Sequence, residues 1–293
     1  MASLRQIRSR MKAIHNIHEI TKAMGMIASF RFKRAENRFT RSRNYFLEIE
    51  KLAANLAGAE TAHLHELFEP RKIKKKALVV MTGDKGLCGA YNSNLLKMAS
   101  VWLKDNAATS PMIVPVAKVG NDFFRRKHIP TLLGYPEKAM VDLALAKKIT
   151  QELKTAFLSG QTDSVEILYA AYRAGTTGRP QIIPFLGLSY LAQQGMGTVR
   201  RAPAQNESVD HIYEPDLNTV FVSILERYLE GKIYMTLLDS LTSESSARML
   251  AMTQATDNAE EVLDNLKLLR NKTRQATITR ELSEIVAGAS VNE

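Results

Sequence analysis

The residues best suited to chemistry in this chain of 293 residues form one glycine-rich stretch, Gly83-Asp84-Lys85-Gly86-Leu87-Cys88-Gly89. An apolar run, Ala77 to Met81, precedes it and a helix-forming stretch follows. That is where an α/β domain cradles phosphate on its backbone N–H groups. The spacing is Gly-x-x-Gly-x-x-Gly, not GxGxxG, and no Lys-Ser or Lys-Thr closes a P-loop. A nucleotide site and a structural turn are both open readings, with the turn favoured. Cys88 would be a nucleophile if the helix start lowered its thiol pKa, yet no His or Asn adjoins it, and a small packing residue is the plainer reading. As the single cysteine it allows no internal disulfide and no Cys-rich metal site, which fits a reducing compartment. His15 and His18 are three apart, but His63 and His65 lie far along the chain. No ligand set assembles, so neither a metal nor a cofactor is expected.

A second candidate chemistry is electrostatic. The net charge is +10, and through Tyr45 there are eleven basic residues against Glu19 and Glu36. Such a block selects an acidic partner: nucleic acid, an anionic membrane surface or an acidic protein surface. Phe30, Phe32, Phe39, Tyr45 and Phe46 interleave with the arginines, as in a basic coiled-coil nucleic-acid binder, which stands as the alternative function. No run approaches the roughly 18 apolar residues of a spanning helix, so any membrane role is peripheral.

The elements that position these groups are two helices around a middle domain. From Ser3 to about residue 58 there is no proline, and Leu4, Ile7, Met11, Ile14, His18, Thr21, Gly25 and Ala28 step by alternating threes and fours, as a coiled-coil seam does. The span is on the order of 80 Å. After Glu214-Pro215-Asp216 the step resumes, from Leu217 and Phe221 through Met249, Met252, Thr256, Ala259, Leu263 and Leu266. An antiparallel pairing with the inner ends of both helices at the middle domain predicts Leu4 beside Leu268 and Gly25 beside Ala247, which would set small residues of both seams at one level. Gly25 then either marks a close approach of the helix axes or is a merely tolerated glycine. About 18 C-terminal residues are then left without a partner helix in this chain. Between the helices, Ala77–Met81, Met112–Val116, Val165–Tyr169 and Ile182–Leu186 read as strands, with helices near Ala90–Lys104 and Lys138–Leu158. The expected fold is α/β: a long antiparallel coiled coil of helices at 1–58 and 216–286, plus a small Rossmann-like α/β domain at 71–205 with a mostly parallel sheet.

Three blocks in order resemble the gamma subunit of bacterial F-type ATP synthases over essentially the whole chain. They are Leu4-Arg5-Gln6-Ile7-Arg8-Ser9-Arg10 with Ile20-Thr21-Lys22-Ala23-Met24; Gly86-Leu87-Cys88-Gly89 with Asn92-Ser93-Asn94; and Ala247-Arg248-Met249, Ala255-Thr256-Asp257-Asn258-Ala259 and Arg274-Gln275-Ala276 through Glu281-Leu282-Ser283-Glu284-Ile285. The resemblance implies a non-catalytic rotor shaft that couples ion flow through the membrane c ring to ATP chemistry on the beta subunits. It implies alpha, beta, epsilon and the c ring as partners, and neither nucleic acid nor a directly bound nucleotide. Contacts with beta would fall to Lys22, Met24, Gly25, Arg274 and Gln275, with Arg34 also passing acidic beta surfaces. Ile278, Leu282 and Ile285 would turn in the apolar collar of the hexamer, and Tyr213 and Glu214 would meet the c ring or epsilon. Gly25, Phe30 and Phe32 depart from the usual residues of the family. With only Cys88 present, thiol regulation of the chloroplast kind is not expected. Met1 with no targeting extension before it suggests the cytoplasmic face of a bacterial inner membrane.

Overall fold

In the computed structural model the described residues are 4–57, 66–68, 71–136, 141–173, 178–187, 214 and 216–290. The sheet is built from β1 (Lys76–Met81), β2 (Met112–Val116), β3 (Ser164–Ala171) and β4 (Arg179–Leu186), in the order β2-β1-β3-β4. The first three strands run parallel and β4 pairs antiparallel with β3. The prolines of the sheet, Pro115, Pro180 and Pro184, sit on the two edge strands, where a missing N–H breaks no central ladder. All four strands lie where the apolar runs predict them.

The helices are α1 (Leu4–Ala57), α2 (Tyr91–Asp105), α3 (Lys118–Arg126), α4 (Leu143–Leu158) and α5 (Leu217–Ser290). The sequence reading misses α3. Its nine residues include Gly120 and Asn121, and it buries only Gly120 and Phe124, too short a pattern for periodicity to detect. Of the helix expected from Lys138, residues 138–140 lie outside the described residues; α4 begins at Leu143, where the Asp142 carboxylate caps it by accepting from the Leu145 N–H at 2.8 Å.

The chain divides into two units, Met1–Phe30 with Arg248–Glu293, and Arg31–Ala247. In the larger unit alternate residues of β1 serve two cores. Ala77, Val79 and Met81 pack with α4 (Ile149, Leu153, Phe157), with α5 (Phe221, Tyr228, Ile233, Leu237) and with Ile49 and Ala53 of α1. Leu78 and Val80 pack with α2 (Leu95, Ala99, Trp102) and Phe124. From Tyr228 to Ser245, α5 is buried on several sides rather than along one seam. Its Gly231 faces Phe46, whose ring stacks on Tyr228 at 5.9 Å.

In the smaller unit the two helix segments are antiparallel. Thr256 Oγ1 lies 2.9 Å from Thr21 Oγ1. One turn on, a Cβ built on Gly25 would stand 3.5 Å from that of Met252, so four steps forward on α1 match four steps back on α5. The predicted α1 seam is the buried face, with Ile7 and Ala28 at 1% and 2% exposure. The predicted register is corrected: Gly25 meets Met252, not Ala247, and Leu268 is 62% exposed and off the seam. Small residues which that register would have set opposite Gly25 are committed elsewhere. Ser243 packs against Gly178, and Ala247 joins Cys88 and Tyr91 in the second core. Of the two readings of Gly25 the tolerated glycine is the one that fits, since 3.5 Å is ordinary van der Waals contact that an alanine would make.

Candidate functional surfaces

The glycine loop follows β1, which lies between β2 and β3, at the carboxyl end where an open parallel sheet forms its ligand crevice. Helix α5 fills that crevice. A Cβ on Gly83 would come within 2.8 Å of the Glu244 carboxylate, so a negative group stands where a phosphate would be cradled. The Gly83 N–H is taken by Asn92 Oδ1 at 2.9 Å. The Tyr91 hydroxyl bonds Ser240 Oγ at 2.7 Å, and burial pushes its pKa well above the ordinary value. Beside them Asp239 accepts from the Tyr172 N–H at 2.6 Å. Burial lifts its carboxyl to about 7, against that hydrogen bond and the charge of Arg43. Cys88 is buried, and its sulfur accepts from Asn92 Nδ2 at 3.2 Å. The Gly83 N–H, the Asp84 carboxylate and the Cys88 sulfur thus have partners within this chain, as a structural turn would.

The histidine pair is equally local. The His15 and His18 rings stack at 6.5 Å and His18 Nδ1 lies 3.1 Å from Glu19. His63 and His65 lie outside the described residues, and among the described residues no three His, Cys, Asp or Glu side chains are grouped to hold a metal ion.

In the smaller unit Lys22 is exposed, whereas Met24 and Gly25 are half-buried at the seam. Arg274 and Gln275 are exposed, and Ile278, Leu282 and Ile285 are exposed by 48%, 58% and 68% although apolar. Arg34, in the larger unit, is exposed. Glu214 is exposed and Tyr213 lies outside the described residues. Phe30 is 78% exposed, while Phe32 packs edge-on against Tyr172 at 5.6 Å. A further feature went unread in the sequence: Ile17, Ile20, Met24 and Ile27 step by three, four and three, and the three isoleucines are about half exposed. This is a second apolar track beside the seam, visible in the spacing once the seam's own phase is known.

Surfaces of this kind, together with a crevice closed by the chain's own helix, define a helix-pair protein whose candidate working parts on the helix pair are exposed faces. A sequence profile described as ATP synthase matches residues 3–291. The chain is 34% identical over 296 residues to an ATP synthase gamma chain of Desulfitobacterium hafniense, covering all of both chains. It is 35% identical over 295 residues to that of Ralstonia nicotianae, covering 99% of each. Its fold is similar to a chain of the Tetrahymena thermophila mitochondrial ATP synthase central stalk and c-ring structure, with a TM-score of 0.63 and 23% identity over 80% of this chain and 99% of that one. It is similar also to a chain of the Euglena gracilis mitochondrial ATP synthase rotor, with a TM-score of 0.64 and 17% identity over 94% of this chain and 98% of that one. The chain belongs to the ATP synthase gamma-chain family. That membership supports the shaft reading over the nucleic-acid binder. No helix among the described residues is long and apolar enough to cross a membrane.

Proposed function

We infer that the chain is the central rotor shaft of an F-type ATP synthase, coupling ion flow through a membrane c ring to ATP synthesis or hydrolysis on the beta subunits, with no catalytic residue of its own. The observation that carries this reading is the apolar surface of the helix pair, Ile17, Ile20 and Ile27 on α1 with Ile278, Leu282 and Ile285 on α5, exposed to solvent in the isolated chain. Exposed apolar stripes on helices that already have a buried seam call for an outer partner. The alpha and beta subunits supply one as a collar, with Lys22, Met24, Gly25, Arg274 and Gln275 contributing beta contacts. The segment at Tyr213 and Glu214 is the proposed meeting point with epsilon or the c ring. The functional division we propose is 1–58 and 216–286 as the shaft and 71–205 as its base, peripheral to the cytoplasmic face of the membrane.

The mechanism is mechanical. Two unlike helices present different side chains around their circumference, so each of three catalytic sites meets a different face. Moving a two-state site from 1:99 to 99:1 takes about 5.5 kcal/mol of differential contact energy. No single exposed isoleucine supplies that, since full burial of such a side chain contributes about 1.5–3 kcal/mol. The effect must therefore be shared along the stripe.

The test is to co-express the chain with matching alpha and beta subunits and compare it with a chain ending after Thr277, which keeps the described seam and removes Ile278, Leu282 and Ile285. One copy per complex, with weakened torque or coupling on truncation, supports the reading. Failure to associate with alpha and beta refutes it.

A further inference from the structure

At the amino ends of β1 and β2, on the edge of the sheet opposite the glycine loop, the protein has an open groove of about 900 Å3. Leu103 from α2, Met112 at the start of β2 and Ile129 beyond α3 give it an apolar floor. Lys75, Lys104 and Lys127 stand around it, all exposed, and no acidic residue among the described residues lines it. Among the described residues the contacts of these cations are neutral: Lys75 Nζ donates to the Gly160 carbonyl at 3.0 Å, and Lys127 Nζ sits 4.8 Å from the centre of the Phe123 ring. Lys75 also belongs to the run Arg71-Lys72-Ile73-Lys74-Lys75-Lys76, in which Ile73 is 47% exposed. The nearby Asp163 carboxylate is occupied by the backbone N–H groups of Lys74 and Lys75, each at 2.8 Å.

We propose that this groove and its basic border bind an anionic phospholipid of a bilayer, the headgroup phosphate held by Lys75, Lys104 and Lys127 and one acyl chain laid in the groove. Clustered lysines attract anionic headgroups. The groove's size is that of a small-molecule site rather than a flat protein contact, and an apolar trough under a ring of cations matches an amphiphile with one anionic end. An acidic protein segment is the competing occupant, and it would leave the trough without an apolar chain. The proposal does not rest on the rotor reading.

The test uses the full chain with vesicles of phosphatidylcholine alone or mixed with phosphatidylglycerol carrying brominated acyl chains. Trp102 is the chain's single tryptophan and precedes Leu103, so bromine in the groove quenches its fluorescence. The basic α1 helix also attracts anionic vesicles, so a triple variant Lys75→Gln, Lys104→Gln, Lys127→Gln is compared with Arg5→Gln, Arg8→Gln, Arg10→Gln, which removes the same charge elsewhere. The expected result is quenching only with brominated phosphatidylglycerol, retained in the arginine variant. In the lysine variant it is lost together with on the order of a hundredfold in vesicle affinity, at an unchanged unfolding temperature. Vesicle binding without quenching, quenching that survives in the lysine variant, or competition by polyglutamate with no quenching at any lipid content would each overturn the proposal.

Discussion

Replacing either of two helical glycines by alanine should have opposite effects. Alanine in a helix interior is favoured over glycine by about 0.8–1 kcal/mol. At Gly25 the new Cβ meets only Met252, 3.5 Å away, so nothing subtracts from that gain and Gly25→Ala should stabilise its unit by about 1 kcal/mol. At Gly231 the new Cβ would stand 2.8 Å from Phe46 Cδ2 and 3.1 Å from Cε2. That ring is stacked on Tyr228 and packs against the buried core, so it cannot swing away freely. Overpacking of this kind costs about 1–3 kcal/mol, which leaves Gly231→Ala neutral to destabilising by about 2 kcal/mol. Native-state amide exchange around positions 25 and 231 reads the two units separately. A Gly231→Ala protein as well protected as Gly25→Ala would refute the packing argument.

Three further outcomes are expected. Asp239→Asn keeps the acceptor for the Tyr172 N–H and removes a titration. Because the folded carboxyl is raised from 3.8 to about 7, its contribution to stability is greatest in acid and is lost as pH rises from about 4 through 7. The variant should therefore gain on the parent between pH 5 and pH 8 in denaturant midpoints, and an equal difference at both pH values would contradict the assignment. Ser243→Ala should raise stability by up to about 1 kcal/mol in urea unfolding, since the buried Ser243 Oγ has no hydrogen-bond partner among the described residues; a loss would show that the hydroxyl is bonded. Cys88, 2% exposed, should resist iodoacetamide in the folded chain and react after denaturation, as followed by mass; modification of the native chain would contradict its packing.

Reading from sequence succeeds here where the signal is local and repeated. Strands such as Val79 and its neighbours announce themselves as short continuous apolar runs, because a strand buried on both faces is apolar throughout. The seam from Leu4 to Ala28 announces itself by its step of threes and fours, because burial on one helix face imposes that period. The exposed apolar stripe of Ile17, Ile20 and Ile27 carries the same kind of signal, yet it is seen only once the seam's phase separates inside from outside. Helix α3 escapes because nine residues with Gly120 and Asn121 hold too little pattern.

Residue types and their spacing alone determined that two proline-free helices flank an α/β middle, that the positive charge gathers on the first helix, and that a single cysteine allows no internal disulfide. Those follow from composition and period. Only the tertiary structure decided that Gly25 faces Met252, that Glu244 and Ser240 of α5 close the crevice beside Gly83, and that Lys75, Lys104 and Lys127 surround one groove. These are contacts between residues far apart along the chain. Their partners are chosen by which side chains fill which spaces, and a local pattern compatible with several registers cannot distinguish among them.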